Sequence, residues 1–288
     1  MVDEAGPDRK RAPCGRRLFP MGHDSGVHTA VHTYDDSHFD LPALVAAKQG
    51  RRVTVCLPAR NEEATVGSIV AMVRAALTLE GEGADLVDEI IVVDDGSTDT
   101  TATVAARAGA LVVPAGTLGG GKGQAMAVGL AESSGDLLVF LDADVENFTP
   151  HFVTGLLGPL LLDESLALVK GFYTRPLHGQ IGEGGRVTEL MARPLLDVLF
   201  PALAGVHQPL AGETAAPRAV LEKTGLANGY GIEIALLVDV ADQFGPEAIA
   251  QVDLGVRVHR NRPLADLRHQ ATEVLRAALE RAGTNLPD

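Results

Sequence analysis

The chain has 288 residues, 46% hydrophobic and 22% charged, a balance ordinary for one sizeable globular core with a smaller appended part. Its net charge of −14 argues against a nucleic-acid binder, and the basic N-terminal stretch at 9–17 is not followed by the apolar run of a signal peptide. Cys14 and Cys56 are too few for a disulfide framework, no apolar run approaches membrane-spanning length, and the chain reads as cytoplasmic.

Residues 1–37 are rich in glycine, proline, histidine and charge without any period, and are expected to form a mobile arm. Leu41 to Lys48 reads as a short helix, and Arg52 to Leu57 as a strand that turns at Pro58. A helix is expected from Glu62 to Leu79, with Asn61 as its N-cap, followed by a second strand from Asp88 to Asp94. Ser97 is expected to cap a helix over Asp99 to Ala108; a third strand follows at Ala110 to Pro114. After a glycine-rich loop come a helix from about Gly123 to Ser133 and a fourth strand, Asp136 to Leu141. These strands are apolar throughout and alternate with helices, which predicts an α/β fold with a mostly parallel sheet covered on both faces. Ligands of such sheets bind beyond the carboxyl ends of the strands. Past residue 150 the pattern loosens until a last helix, Leu264 to Arg281, whose stripe of Leu267, Ala271, Val274, Leu275, Ala278 and Leu279 packs on the core or on a second subunit.

The polar motifs fall at those strand ends. Asp142-Ala143-Asp144 directly follows the fourth strand, and in extended backbone residues i and i+2 face the same side. Two carboxylates sharing one space favour a hard divalent cation, Mg²⁺ or Mn²⁺, held jointly with substrate phosphates; two solvated aspartates in a turn are the bland alternative. Pro58-Ala59-Arg60-Asn61-Glu62-Glu63 follows the first strand and Asp94-Asp95-Gly96-Ser97-Thr98-Asp99 closes the second. Their acidic and amide groups suit a base and a ribose, or serve as helix caps. Gly116 to Lys122 has the spacing of a P-loop, but Gly123 stands where that loop needs a hydroxyl, so a loop presenting Lys122 to a diphosphate fits better than an NTPase.

Gly184-Gly185-Arg186-Val187-Thr188 opens a helix ending near Leu199, an arrangement that suits a bound phosphate or a plain glycine turn. Val256 to Asn261 alternates like a strand and places Arg257, His259 and Asn261 on one face, with His259 either structural or a ligand. Glu233, after Tyr230-Gly231-Ile232, also sits where a carboxylate meets a helix dipole.

In this order and spacing, PARNEE, DDGSTD, GGGKG and LDAD resemble the donor-binding half of GT-A-fold glycosyltransferases. VKGFYTRPL, GEGGRVTELMARPLL, QPLAGE, GYGIEI and QVDLGVRVHRNRPL resemble the actinobacterial glucosyl-3-phosphoglycerate synthases, the likeness running from about residue 38 to about 280. The resemblance implies a Rossmann-like, mostly parallel sheet flanked by helices, with a nucleotide-sugar-binding half at 38–150 and an acceptor-binding half with the C-terminal helix at 151–288. It further implies transfer of glucose from UDP-glucose to 3-phosphoglycerate with retention, a divalent metal and a homodimer.

Residue by residue, the resemblance puts Pro58, Ala59, Arg60, Glu62, Asp95 and Ala143 on the donor, and Lys122 and Arg257 on its diphosphate. Asp144 and His259 would hold the metal, Asp142 the ribose or a metal-bound water, and Tyr230 and Glu233 the sugar. Lys122, Asp142, Asp144 and Glu233 then form the catalytic set, while Gly185, Arg186, Val187, Thr188 and Asn261 take the acceptor. Asp95 and Ala143 stand where the family carries serine, and the added carboxylate bears on the donor base. The rivals are a mannosyl-3-phosphoglycerate synthase using GDP-mannose and a polyprenyl-phosphate sugar transferase, which would want a membrane segment. A non-catalytic nucleotide-sugar module would be expected to have lost part of LDAD.

Overall fold

A strand that is apolar at every position has to be buried on both faces, and this requirement sets the architecture. The computed structural model describes residues 31–116, 121–175, 185–258 and 264–284. Among them eight strands form one sheet: β1 (His32–Asp35), β2 (Val53–Ala59), β3 (Glu89–Asp94), β4 (Leu111–Pro114), β5 (Leu137–Phe140), β6 (Leu168–Thr174), β7 (Thr214–Pro217) and β8 (Ile249–Val256). Their order is β1-β8-β6-β7-β5-β2-β3-β4, parallel throughout except for β7, which runs against β5 and β6.

The helices are α1 (Leu41–Lys48), α2 (Val66–Leu77), α3 (Thr101–Ala108), α4 (Gly121–Glu132), α5 (His151–Leu162), α6 (Arg193–Leu199), α7 (Arg218–Thr224), α8 (Ile232–Phe244) and α9 (Leu264–Arg281). Successive strand residues enter opposite cores. Val53, Val55, Leu57, Leu137 and Val139 pack with α1, α2 and α5, whereas Cys56, Ile91, Val93, Leu138 and Phe140 pack with α4, α8 and α9. Val274 and Ala278 of the expected α9 stripe are buried in this second core together with Ala277, while Leu275 is exposed.

Several boundaries differ from the sequence reading, each for a local reason. Residues 32–35, assigned to the mobile arm, instead extend the sheet as β1, paired with β8. Helix α2 starts at Val66, because the segment before it is laced to the loop after β3. Asn61 does not cap it: with φ of 57°, Asn61 accepts a hydrogen bond from the Thr98 N–H at 2.8 Å. Ser97 does not cap α3 either, since its hydroxyl accepts from the Asn61 N–H at 3.0 Å. Glu63 adds a bond from the Thr100 N–H at 2.9 Å, and the two strand-end loops become one unit. The strand expected over 256–261 ends at Val256, with 259–261 outside the described residues. The helix after Gly185 does form, with a π turn at Thr188–Ala192 where Pro194 lacks the N–H that regular α bonding requires.

Candidate active site

Because β2, β3, β5, β6 and β8 are mutually parallel, their carboxyl ends lie along one edge of the sheet. The antiparallel insertion of β7 opposes Thr214 to Phe140 and so brings the start of β7 to that same edge. Residues just past these ends meet around a cavity of about 280 Å³. Pro58, Ala59, Arg60 and Glu62 line it from β2, Asp95 from β3, and Asp142, Ala143 and Asp144 from β5. Arg257 comes from β8, Lys122 from α4, and Tyr230 and Glu233 from the start of α8. Gly185, Arg186, Val187 and Thr188 also line it, so every expected site residue among the described ones is in this cavity. His259 and Asn261 lie outside the described residues.

The cavity wall past β3 and β5 absorbs both departures from the family pattern. Asp95 is 8% exposed, and burial raises its carboxyl above the ordinary value even though Arg60 Nη1 stands 4.0 Å away. At Ala143 the backbone matters: its carbonyl accepts the Thr65 hydroxyl at 2.6 Å, which pins the turn after β5.

The charged centre differs from expectation in one respect. Asp142 and Asp144 read from the sequence as a pair awaiting a cation, but the chain's own cations neutralise them. Arg257 Nη2 donates to Asp142 at 2.8 Å and to Asp144 at 2.6 Å, while Lys122 bonds Asp142 and lies 2.8 Å from Glu233. Burial alone would raise the Asp142 carboxyl, yet Lys122 and Arg257 beside it hold it well below the usual carboxylate range. Burial likewise pulls Lys122 down, but Asp142 and Glu233 drive it above the ordinary lysine value. Among the described residues no group of three or more His, Cys, Asp or Glu could hold a metal. The expected pair Asp144–His259 therefore has one member described, beside Asp142.

Six further lining residues were not expected in the site: Ala125 of α4, Arg175 after β6, Leu210, and Leu267, Gln270 and Val274 of α9. Helix α9 also steadies the turn before α8, because Glu273 accepts the Tyr230 N–H at 2.5 Å. Behind the cavity, Lys170 of β6 donates to the Ala211 carbonyl at 2.6 Å and to Thr214 Oγ1 at 3.1 Å, fixing the turn before β7. The signal for Lys170, Arg175 and Leu210 was present in VKGFYTRPL and QPLAGE, but their chemistry depends on neighbours far away in sequence.

That turn presses Gly212 against Asp142 and Lys122, where an added Cβ would overlap both charged groups. Gly212→Ala is expected to push the pair apart and lower kcat about tenfold, with thermal stability little changed. Undiminished turnover would show that this contact does not set their position.

Burial lowers Lys170 from 10.5 to about 8, against the opposing pull of Glu233. The unfolded chain binds this proton more tightly, so Lys170 opposes folding below pH 8, and the opposition fades as pH rises from about 8 toward 10.5. The denaturant midpoint of the wild type should therefore gain on that of Lys170→Met between about pH 7.5 and about pH 9.5. A constant difference would contradict the assignment.

A model described as glycosyl transferase family 2 matches residues 54–180. The glucosyl-3-phosphoglycerate synthase of Mycolicibacterium smegmatis is 47% identical over 262 residues, 88% of this chain and 84% of that protein. The one from Mycobacterium tuberculosis H37Rv is 48% identical over 282 residues, 93% of this chain and 84% of that protein. The crystal structure of the M. tuberculosis enzyme with Mn²⁺, UDP-glucose and phosphoglyceric acid matches with a TM-score of 0.78 at 46% identity, over 90% of this chain and 89% of that one. Another holds Mn²⁺, UDP and glucosyl-3-phosphoglycerate, with a TM-score of 0.79 at the same 46% identity and the same coverage of 90% and 89%. Identity at this level over nearly the full length of both partners shows that the chain belongs to the glucosyl-3-phosphoglycerate synthase family.

Proposed function

We propose that the cavity takes UDP-glucose and 3-phosphoglycerate together and transfers glucose to the acceptor's hydroxyl. One observation carries this reading: a single cavity joins two strand-end carboxylates braced by Lys122 and Arg257 with a glycine-opened helix start bearing Arg186. The crystallised relatives, which hold UDP-glucose, phosphoglyceric acid and the glucosylated product, support it.

Pro58, Ala59, Arg60, Glu62 and Asp95 bind the base and ribose. Asp142 and Asp144 fit Mg²⁺ or Mn²⁺, being oxygen donors at one strand end with side chains 23% and 25% exposed. His259 and substrate phosphate oxygens complete that set, and the cation, when bound, supplies Lewis-acid stabilisation of the leaving diphosphate. Lys122 and Arg257 exchange part of their carboxylate contacts for the diphosphate and stabilise the charge that develops on it. Glu233, held by Lys122 at 2.8 Å, accepts from the sugar hydroxyls beside Tyr230. The backbone at Gly185, Val187 and Thr188, with Arg186 and Asn261, holds the acceptor's phosphate and carboxylate. The acceptor hydroxyl then reaches the anomeric carbon from the side the diphosphate leaves, which gives retention.

A cytoplasmic homodimer belongs to the same reading. Leu190 and Val198, on the helical stretch 186–199, are 81% and 78% exposed and offer apolar surface to a second copy. Among the described residues no helix is long and apolar enough to cross a membrane. The function is tested by UDP release from UDP-glucose that depends on 3-phosphoglycerate, with GDP-mannose and ADP-glucose at most about a tenth as effective. Preference for GDP-mannose would overturn the donor assignment.

A further inference from the structure

Behind the cavity a buried bracket joins its two sides. Tyr173 is 2% exposed and donates its hydroxyl to Glu213 Oε2 at 2.8 Å. The Tyr173 hydroxyl oxygen in turn accepts from Arg257 Nη1 and from Arg175 Nη2, each at 2.7 Å. Glu213 is fully buried, and its other oxygen stands 3.3 Å from Arg257 Nε. A buried carboxylate is costly unless its partners are close, and Glu213 lies outside the cavity lining, so its function must lie in Arg257, which it pairs directly, and in Tyr173, which carries both arginines.

Those cations face different substrates. Arg257 turns Nη2 toward Asp142 and Asp144 on the donor side. Arg175 lines the cavity with Gly185, and its Nη1 lies 4.0 Å from where a Cβ on Gly185 would stand, at the acceptor corner. Its described hydrogen bond goes to the neutral Tyr173 hydroxyl, no carboxylate among the described residues forms an ion pair with it, and its Nε is buried without a partner.

We propose that the Tyr173 hydroxyl, backed by Glu213, is a positioning group shared by the two anion sites, aiming Arg257 at the donor diphosphate and Arg175 at the acceptor's anionic groups. Arg175 thereby joins Arg186 as an acceptor-binding residue. The proposal rests on the substrates assigned above. When a diphosphate arrives, Arg257 gives up contacts to Asp142 and Asp144, and a guanidinium on a flexible stem keeps its aim only if its other edge stays fixed. The Tyr173 hydroxyl holds Nη1, and Glu213 Oε1 pairs with Nε at 3.3 Å by charge without an aligned hydrogen bond, which leaves Nη2 for the substrate.

The test is calorimetry with two probes: UDP plus Mn²⁺, and 3-phosphoglycerate added to protein loaded with UDP and Mn²⁺. Tyr173→Phe should weaken both by about tenfold, whereas Arg175→Gln should weaken 3-phosphoglycerate by about tenfold and leave UDP within about twofold. A purely structural role for the hydroxyl would lower the thermal midpoint and leave both affinities unchanged. The proposal is overturned if folded Tyr173→Phe binds either probe within about twofold of wild type, or if Arg175→Gln binds 3-phosphoglycerate normally. Should Tyr173→Phe fail to fold, Glu213→Gln decides the donor arm and Arg175→Gln the acceptor arm by the same limits. Arg186→Ala separates the two levels of the account: if it loses 3-phosphoglycerate while Arg175→Gln keeps it, the proposal fails and the function stands. Wild type that binds UDP but not 3-phosphoglycerate overturns both.

Discussion

Asp144→Ala is expected to lower transfer from UDP-glucose to 3-phosphoglycerate by at least about a hundredfold, with saturating Mg²⁺, while the protein stays folded. Asp144 stands past β5 with its side chain 25% exposed, and its Oδ1 is 2.6 Å from Arg257 Nη2. The fold survives its loss because Arg257 keeps Asp142, Tyr173 and Glu213 as partners, so no buried charge is orphaned. Catalysis does not survive, because in the proposed function Asp144 is one of the carboxylates that hold the divalent cation against the diphosphate. Asp144→Asn should fail almost as badly, since it keeps the shape and removes the charge. Circular dichroism and initial rates settle the matter: a folded Asp144→Ala protein with more than about a tenth of wild-type turnover would contradict the role given to Asp144.

Arg186→Ala is expected to damage acceptor use and spare the donor. Arg186 opens a helix behind Gly185, whose φ is 82°, and lines the cavity beside Thr188, which is 4% exposed. In the proposed function, backbone N–H groups and the Arg186 guanidinium there bind one anion of the acceptor. Losing a charge-assisted contact of this kind costs about 1.5–3 kcal/mol, or about tenfold to a hundredfold in 3-phosphoglycerate affinity. Donor binding should hold because Lys122 and Arg257 lie with Asp142, apart from this helix start. A variant that lost UDP-glucose binding and kept its 3-phosphoglycerate KM would move the motif to the nucleotide side.

The first half of the fold was legible because β2, β3 and β5 are buried on both faces and carry apolar residues at nearly every position. Their polar ends announced the edge where the site lies. The second half was less legible. β6 has Lys170 in its interior, and β7 is the short run Thr214–Pro217, whose antiparallel insertion follows from pairing rather than from any periodicity. β1 is a short, mostly exposed edge strand that sequence patterning cannot separate from the arm before it. Cap residues were misplaced where side chains found better partners across a loop, as Asn61 did with Thr98. Most of the site was visible as strand-end motifs. The bracing was not, because Lys122 to Asp142 spans 20 positions and Arg257 to Asp142 spans 115. Such pairs exist only once the sheet has brought the strand ends together.

The central claim is that one cavity joins glucose from UDP-glucose to the hydroxyl of 3-phosphoglycerate. The most direct test is nuclear magnetic resonance of the product formed from UDP-glucose labelled at the anomeric carbon, with 3-phosphoglycerate and Mg²⁺. The account predicts a single phosphorylated glucoside in which the labelled carbon is bonded to the acceptor oxygen in the α configuration of the donor, with UDP released in equal amount. Free labelled glucose with unmodified 3-phosphoglycerate, or a glucoside of inverted configuration, would contradict it.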